Sequence, residues 1–274
     1  MHSKITLTAA ALAAAAFAAA PAVAATVADA QLNDGAVALY EFEGNLLDSA
    51  GDNDATVTSA GISYGAGFTD GSGGSTGQSL VDSNGALSLG PANAAGSLIN
   101  DLQGAPAVTI ETFIDFDNVS PSGSILQYFN GSTAILNLRA TPNLVRLAAR
   151  SENGDTFHES NLFDNGPLLN GRRFVTLTAD FGAGEIRTYV DGVLVQTDAE
   201  AFTSSTFDIV TSADDITIGT GNSGNFGGEL DNLAVYGQTF SEAEIAARFS
   251  AVVPEPASLA LLGLGGLGLV RRRK

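Results

Sequence analysis

The chain has 274 residues, 30 of them acidic against 12 basic, a formal net charge of −18, and neither cysteine nor tryptophan. So large an excess of acid repels nucleic acid and anionic lipid, and without cysteine there is no disulfide framework and no thiolate nucleophile or metal ligand. Stability has to come from a packed core, for which this length is ample.

The first element is a processing segment. Lys4 precedes an unbroken small and apolar run over 5–20, Pro21 ends it, and Ala22-Val23-Ala24 offers the small residues that a signal peptidase reads. Residues 1–24 are expected to be a secretory signal peptide, too short for a membrane span, and 25–36 read as a linker. Five of the basic residues (Lys4, Arg271, Arg272, Arg273 and Lys274) lie at the two ends, so the body of the chain is more acidic still.

That body, 37–250, opens on Leu39-Tyr-Glu-Phe-Glu-Gly-Asn-Leu-Leu-Asp-Ser-Ala-Gly-Asp-Asn53, an aromatic strand running into an acidic turn. Glu43, Asp48, Asp52, Asn53 and Asp54 crowd this stretch, and hard oxygen ligands of that kind suit Ca²⁺. The same residues also suit an Asx-type turn that satisfies only its own backbone. An EF-hand is excluded, because Ala50 stands where the third-position oxygen is needed.

Period-two alternation then dominates and predicts strands over Val108–Phe116, Ile125–Phe129, Ala134–Arg139, Val145–Ala149, Arg173–Phe181, Ile186–Val190, Val193–Gln196, Ile216–Ile218 and Leu230–Tyr236. In the first of these, Val108, Ile110, Ile114 and Phe116 share one face, with Glu111 and Asp115 opposite. Asp191-Gly192 between two such strands predicts a two-residue type I′ hairpin. His158, the sole histidine beyond the signal peptide, sits in the polar stretch Phe157-His-Glu-Ser and reads as a surface loop residue. The stretches 65–77 and 200–215 read as long soft loops. Ser241-Glu-Ala-Glu244 is a capping box that predicts a helix over Glu242–Phe249, its Ile245 and Phe249 on one face.

Three blocks in order resemble the laminin-G-like branch of the concanavalin A-like lectin/glucanase superfamily. They are Leu39–Asn53; Arg173–Phe181 leading to Tyr189-Val-Asp-Gly-Val193; and Ile216-Thr-Ile-Gly219, Phe226–Tyr236 and Ser241–Phe249. The usual Trp-His start of the second block is here Arg173-Phe174. The resemblance implies an all-β jelly-roll sandwich of two antiparallel sheets with one short C-terminal helix, and helical segments at both processed ends. It also implies one structural Ca²⁺, for which Asp48 and Asp231 match by position, followed by Glu43 and Asn53. Glucanase relatives place two carboxylates around the scissile bond. Here Glu229-Leu-Asp231 begins that pattern, but Asn232, Leu233 and Ala234 follow and the second acid is missing. Nor does a G-x-S-x-G elbow accompany the lone histidine.

The chain ends on Pro254-Glu255-Pro256, an apolar run over 257–270 diluted by four glycines, and Arg271-Arg-Arg-Lys274. Residues 251–274 thereby resemble the PEP-CTERM sorting signal of Gram-negative bacteria. That resemblance implies recognition by an exosortase, transient membrane contact through the tail, and delivery to the cell surface or extracellular matrix. The expectation is an exported, non-enzymatic protein that associates with exopolysaccharide or a surface partner. The alternatives are a Ca²⁺-dependent lectin-like module and a degenerate glycoside hydrolase built on Glu229 and Asp231.

Overall fold

The computed structural model describes residues 27–68, 77–119, 123–221 and 224–252. The signal peptide, the motif Pro254-Glu255-Pro256 with the apolar and basic segments behind it, and the helices expected at the two processed ends lie outside the described residues. Among the described residues no helix is long and apolar enough to cross a membrane.

Among the described residues fifteen strands form two antiparallel sheets. The eight-stranded sheet runs β13 (Val193–Ala199), β12 (Glu185–Val190), β11 (Arg172–Asp180), β6 (Ala107–Asp115), β15 (Gly227–Tyr236), β4 (Ser79–Ser83) and β3 (Ile62–Gly65), and β1 (Ala38–Tyr40) also pairs with β15. The seven-stranded sheet runs β10 (His158–Phe163), β9 (Leu144–Ala149), β8 (Thr133–Thr141), β7 (Ser124–Asn130), β14 (Asp215–Ile218), β5 (Ala86–Pro91) and β2 (Thr56–Ser59). Alternate residues turn inward from both sheets. Ile110, Ile114, Val175, Leu177 and Leu230 of one join Leu126, Leu138, Leu147 and Ile218 of the other in one continuous core. This is the jelly-roll sandwich expected from the sequence.

The Asp191-Gly192 turn has φ of +51° and +77°, the type I′ signature. Gly192 is also required sterically, since a Cβ there would press on Phe249 and Ala246. Those residues belong to α3 (Glu242–Val252), three residues longer than the sequence suggested. Its capping box is formed: Glu244 N–H donates to Ser241 Oγ, and Ser241 N–H donates to Glu244 Oε2.

Within the stretch 25–36, Val27–Asn33 form α1, closed by a Schellman motif in which Gly35 N–H donates to Leu32 O and Ala36 N–H to Gln31 O. Gly35 supplies the positive φ, +79°, that this ending needs. Helix α1 packs on α3, β1 and β15. A small four-residue helix, α2 (Leu98–Asp101), is capped by Ser97.

Both long helices lie on the outer face of the eight-stranded sheet. There Leu39, Tyr189, Ala234, Tyr236, Phe240 and Ile245 form a second apolar cluster. All nine residues of β6 are therefore buried, including Glu111, which alternation alone places on a face turned from the core. The outer face of the seven-stranded sheet carries no helix among the described residues.

Candidate functional site

The four residues proposed for calcium do not form one ligand set. Asp48 is buried, and its carboxylate already accepts from Leu39 N–H and Ala50 N–H through Oδ1 and from Asn53 N–H and the Asn53 amide through Oδ2. Asn53 in turn accepts Leu98 N–H at 2.8 Å, which ties the opening loop to α2. Glu43 is exposed and reaches Gln78 N–H. Asp231 is fully buried on β15, opposite Phe113, and accepts from the Asn232 amide. Among the described residues no three acidic or histidine side chains converge as metal ligands. The N–H groups around the Asp48 carboxylate have the pattern of an Asx-type turn that satisfies its own backbone. Asp48→Ala is expected to cost about 2 kcal/mol, because it leaves buried N–H donors without acceptors. EDTA is expected to leave the thermal midpoint of the wild type unmoved; a midpoint raised by Ca²⁺ would reinstate the cation.

Catalytic groupings fare as follows. Glu229 accepts the Ser79 hydroxyl at 2.5 Å and pairs with Arg172 at 3.1 Å. It shares a cleft of about 500 Å³ with Asp82, Asn84, Asn118 and Gly228. Asp82 lies opposite Gly228 and Glu229 opposite Val81, so the two carboxylates leave β4 and β15 on opposite faces. Two acids that turn apart in this way do not flank one glycosidic bond.

His158 is not in a surface loop. It begins β10, is 8% exposed, and packs edge-on against Phe202. Its Nδ1 meets Glu200 at 2.8 Å, and its Nε2 meets Asp155 at 3.1 Å and Thr156 Oγ1 at 2.9 Å. With a carboxylate at each nitrogen, the ring offers no free base to a nucleophile. Ser151 donates to Asp155, not to the imidazole. Burial alone would raise Asp155, but hydrogen bonds from Ser151, His158 and Thr156 hold its carboxyl down at about 2. The group is a polar clamp joining β10 to the 200–215 segment.

The arrangement best suited to a ligand is the outer face of the seven-stranded sheet, which sequence reasoning missed; Gln127 and Asn137 are buried in it, while Arg139, Arg146 and Asn161 are partly exposed. Cross-strand pairing aligns Thr56, Ser88, Thr217, Gln127 and Asn137 across five strands. Arg139, Arg146 and Asn161 follow in the same way across β8, β9 and β10. These residues alternate with core-facing Leu126, Leu138 and Leu147, so all of them turn outward.

A continuous hydrogen-bonded ladder runs along the face. The Asn137 amide donates to Ser124 Oγ and Gln127 Oε1, while Asn137 Oδ1 accepts from Arg146 at 2.7 Å. Arg146 also pairs with Glu159 at 3.1 Å. The signal that reveals Arg139 and Arg146 as partners is the hairpin itself. Both are equidistant from the Pro142-Asn143 turn, which pairs Thr141 with Leu144.

Comparison with known proteins places these observations. Residues 90–246 match the sequence profile of the concanavalin A-like lectin/glucanases superfamily, and residues 252–274 match that of the PEP-CTERM protein-sorting motif. No curated protein matches the chain.

Among solved structures, the receptor binding domain of botulinum neurotoxin C/D mosaic serotype is similar at 14% identity and a TM-score of 0.57, over 80% of this chain and 51% of that one. The ligand binding domain of botulinum neurotoxin serotype D in complex with N-acetylneuraminic acid is similar at 12% identity and a TM-score of 0.56, over 81% and 52%. Domain 4 of AbnA, a GH43 extracellular arabinanase from Geobacillus stearothermophilus, in complex with arabinotriose, is similar at 13% identity and a TM-score of 0.55, over 78% and 97%. This chain spans about half the length of the neurotoxin domains. At these identities the likeness is one of fold.

Proposed function

The chain belongs to the concanavalin A-like lectin/glucanases superfamily, and from that premise we propose a non-catalytic glycan-binding module, exported and sorted to the cell surface, that associates with exopolysaccharide through the outer face of its seven-stranded sheet. The observation that carries this reading is the ladder Ser124–Gln127–Asn137–Arg146–Glu159, whose amides and charged groups are fixed in register by mutual hydrogen bonds. The buried members Ser124, Gln127 and Asn137 hold the partly exposed Arg146 and the exposed Glu159 in place, and groups preordered in this way meet sugar hydroxyls at little entropic cost. The fold neighbours bound to arabinotriose and to N-acetylneuraminic acid lend support by analogy of fold.

The carboxylate arrangement argues against hydrolysis, since Glu229 is held by Arg172 and Ser79 and faces away from Asp82. The sorting motif supports recognition by an exosortase and delivery to the surface or matrix of a Gram-negative cell. Affinity electrophoresis of the mature chain in gels containing arabinan, dextran or an acidic exopolysaccharide tests the reading. Retardation is expected in at least one gel, and Asn161→Ala is expected to weaken it about tenfold, near 1.4 kcal/mol, without shifting the thermal midpoint. Absence of retardation in every gel would overturn glycan binding, and polysaccharide hydrolysis abolished by Glu229→Gln would overturn the non-catalytic assignment.

A further inference from the structure

We infer that the Arg139–Arg146 pair on this face receives the carboxylate of an acidic sugar, so that the ligand is a glycan bearing a uronic acid residue rather than a wholly neutral one. This rests on the glycan-binding reading above and names the class of sugar. Arg139 and Arg146 are directly paired across β8 and β9, which sets two like charges side by side on one face. Like charges opposite one another destabilise a sheet unless something neutralises them.

Within the protein that neutralisation is incomplete. Arg146 is engaged by Glu159 and by Asn137 Oδ1. The Arg139 side chain makes no hydrogen bond or ion pair among the described residues, and the Nε of each arginine is buried without an acceptor. Counter-charges are not scarce, for the chain holds 30 acidic residues to 12 basic ones. In so acidic a chain, two adjacent guanidinium groups of which only Arg146 has a carboxylate partner form a place where negative charge is missing.

The chemistry of the pair fits a carboxylate. A guanidinium offers a planar fork of donors that matches the two oxygens of a carboxylate, and two such forks side by side favour a single anion between them. Burial and the neighbouring Arg139 both push the Arg146 guanidinium toward losing its charge, with only Glu159 opposing them. A bound carboxylate relieves that pressure. A neighbour on the same face supplies a group for hydroxyls: Asn161, partly exposed, stands directly opposite Arg146. The remaining surface is acidic and repels dense polyanions over roughly a Debye length, about 8 Å at physiological salt. The site therefore suits an isolated acid within an otherwise neutral chain.

Titration calorimetry on the mature protein tests this with an aldotriouronic acid, a trisaccharide with one glucuronic carboxylate, and with its methyl ester, which removes only the charge. The acid is expected to bind at least tenfold more tightly than the ester. Arg139→Met is expected to lose that preference while still binding the ester, and to unfold at a midpoint no lower than the wild type, since it removes a like-charge neighbour. Equal binding of acid and ester, or a preference that survives Arg139→Met, would overturn the uronic acid assignment and leave the glycan-binding reading standing. Binding of neither compound would overturn it as well, and if arabinan and dextran gels also fail to retard the protein the glycan-binding reading falls with it.

Discussion

Replacing Arg248 with alanine is expected to lower the stability of the mature chain by about 3–5 kcal/mol, the cost of breaking a buried ion pair from one side. Arg248 projects from α3 onto the outer face of the eight-stranded sheet, where it is 6% exposed. Its Nη1 donates to Glu111 at 2.6 Å and to the Tyr236 hydroxyl at 2.9 Å, and its guanidinium lies 3.7 Å from the Phe240 ring centre. Nη2 faces Asp34 just after α1, a half-exposed partner that contributes little by itself.

Glu111 is fully buried. Burial pushes its carboxyl upward, and Arg248, Tyr236 and Thr176 pull it back. Without Arg248 that carboxylate keeps its desolvation cost and loses its main compensation. Arg248→Met combined with Glu111→Leu is expected to recover most of the loss, because a well-packed apolar pair often matches a buried ion pair. Urea denaturation of the three proteins measures these differences. A cost for Arg248→Ala below about 1 kcal/mol, the level of an exposed ion pair, would show that the helices are held by their apolar contacts alone.

The same cluster shows why part of this molecule was legible in its sequence and part was not. Strands whose inward positions are apolar announced themselves: β6 through Val108, Ile110 and Ile114, and β11 through Val175, Leu177 and Ala179, all of which lie in the core. Strand β10 did not, because two of its three buried positions are His158 and Ser160, satisfied by hydrogen bonds, and only Leu162 is apolar. Strand β2 has all four residues exposed and is held by backbone pairing to β5, which leaves no periodicity to read.

Glu111 looked like a solvent-facing residue because alternation reports only which face a side chain takes. Whether that face is covered depends on α1 and α3, and Arg248 lies 137 residues away in sequence. The calcium ligands expected from family resemblance do not converge among the described residues, for a related reason. Position in a motif does not reveal that the oxygens of Asp48 are already taken by backbone amides of its own loop. The Arg139–Arg146 pair, by contrast, follows from a two-residue turn between two strands that were both foreseen.

Between pH 4 and pH 6 the wild type is expected to lose roughly 3 kcal/mol of stability through Asp82 alone, and Asp82→Asn is expected to abolish that loss. Asp82 is 3% exposed, and its Oδ2 is buried with no hydrogen-bond partner. Burial pushes its carboxyl up to about 6 from 3.8, against the opposing hydrogen bond from Gly85 N–H. The crowding is tight: Gly219, at φ +81°, approaches so closely that a Cβ there would collide with Oδ2.

The sign follows from proton counting. Below pH 3.8 the group is protonated in both states and contributes nothing. As pH rises toward 6 the unfolded chain releases its proton first, so ionisation favours unfolding, and the effect is complete above the folded value. A shift of about two units at roughly 1.4 kcal/mol each gives the stated magnitude. An asparagine keeps the acceptor for Gly85 N–H but carries no charge, so at pH 7.5 the variant is expected to be more stable than the wild type by about 1–2 kcal/mol. Other carboxyls titrate in the same range, so the quantity to measure is the wild-type minus variant difference in urea midpoint at pH 4, 5, 6 and 7.5. A difference that stays flat across those values would place the Asp82 carboxylate in contact with solvent. A difference that grows with pH would mark this charge as a cost that the folded sandwich carries at neutral pH.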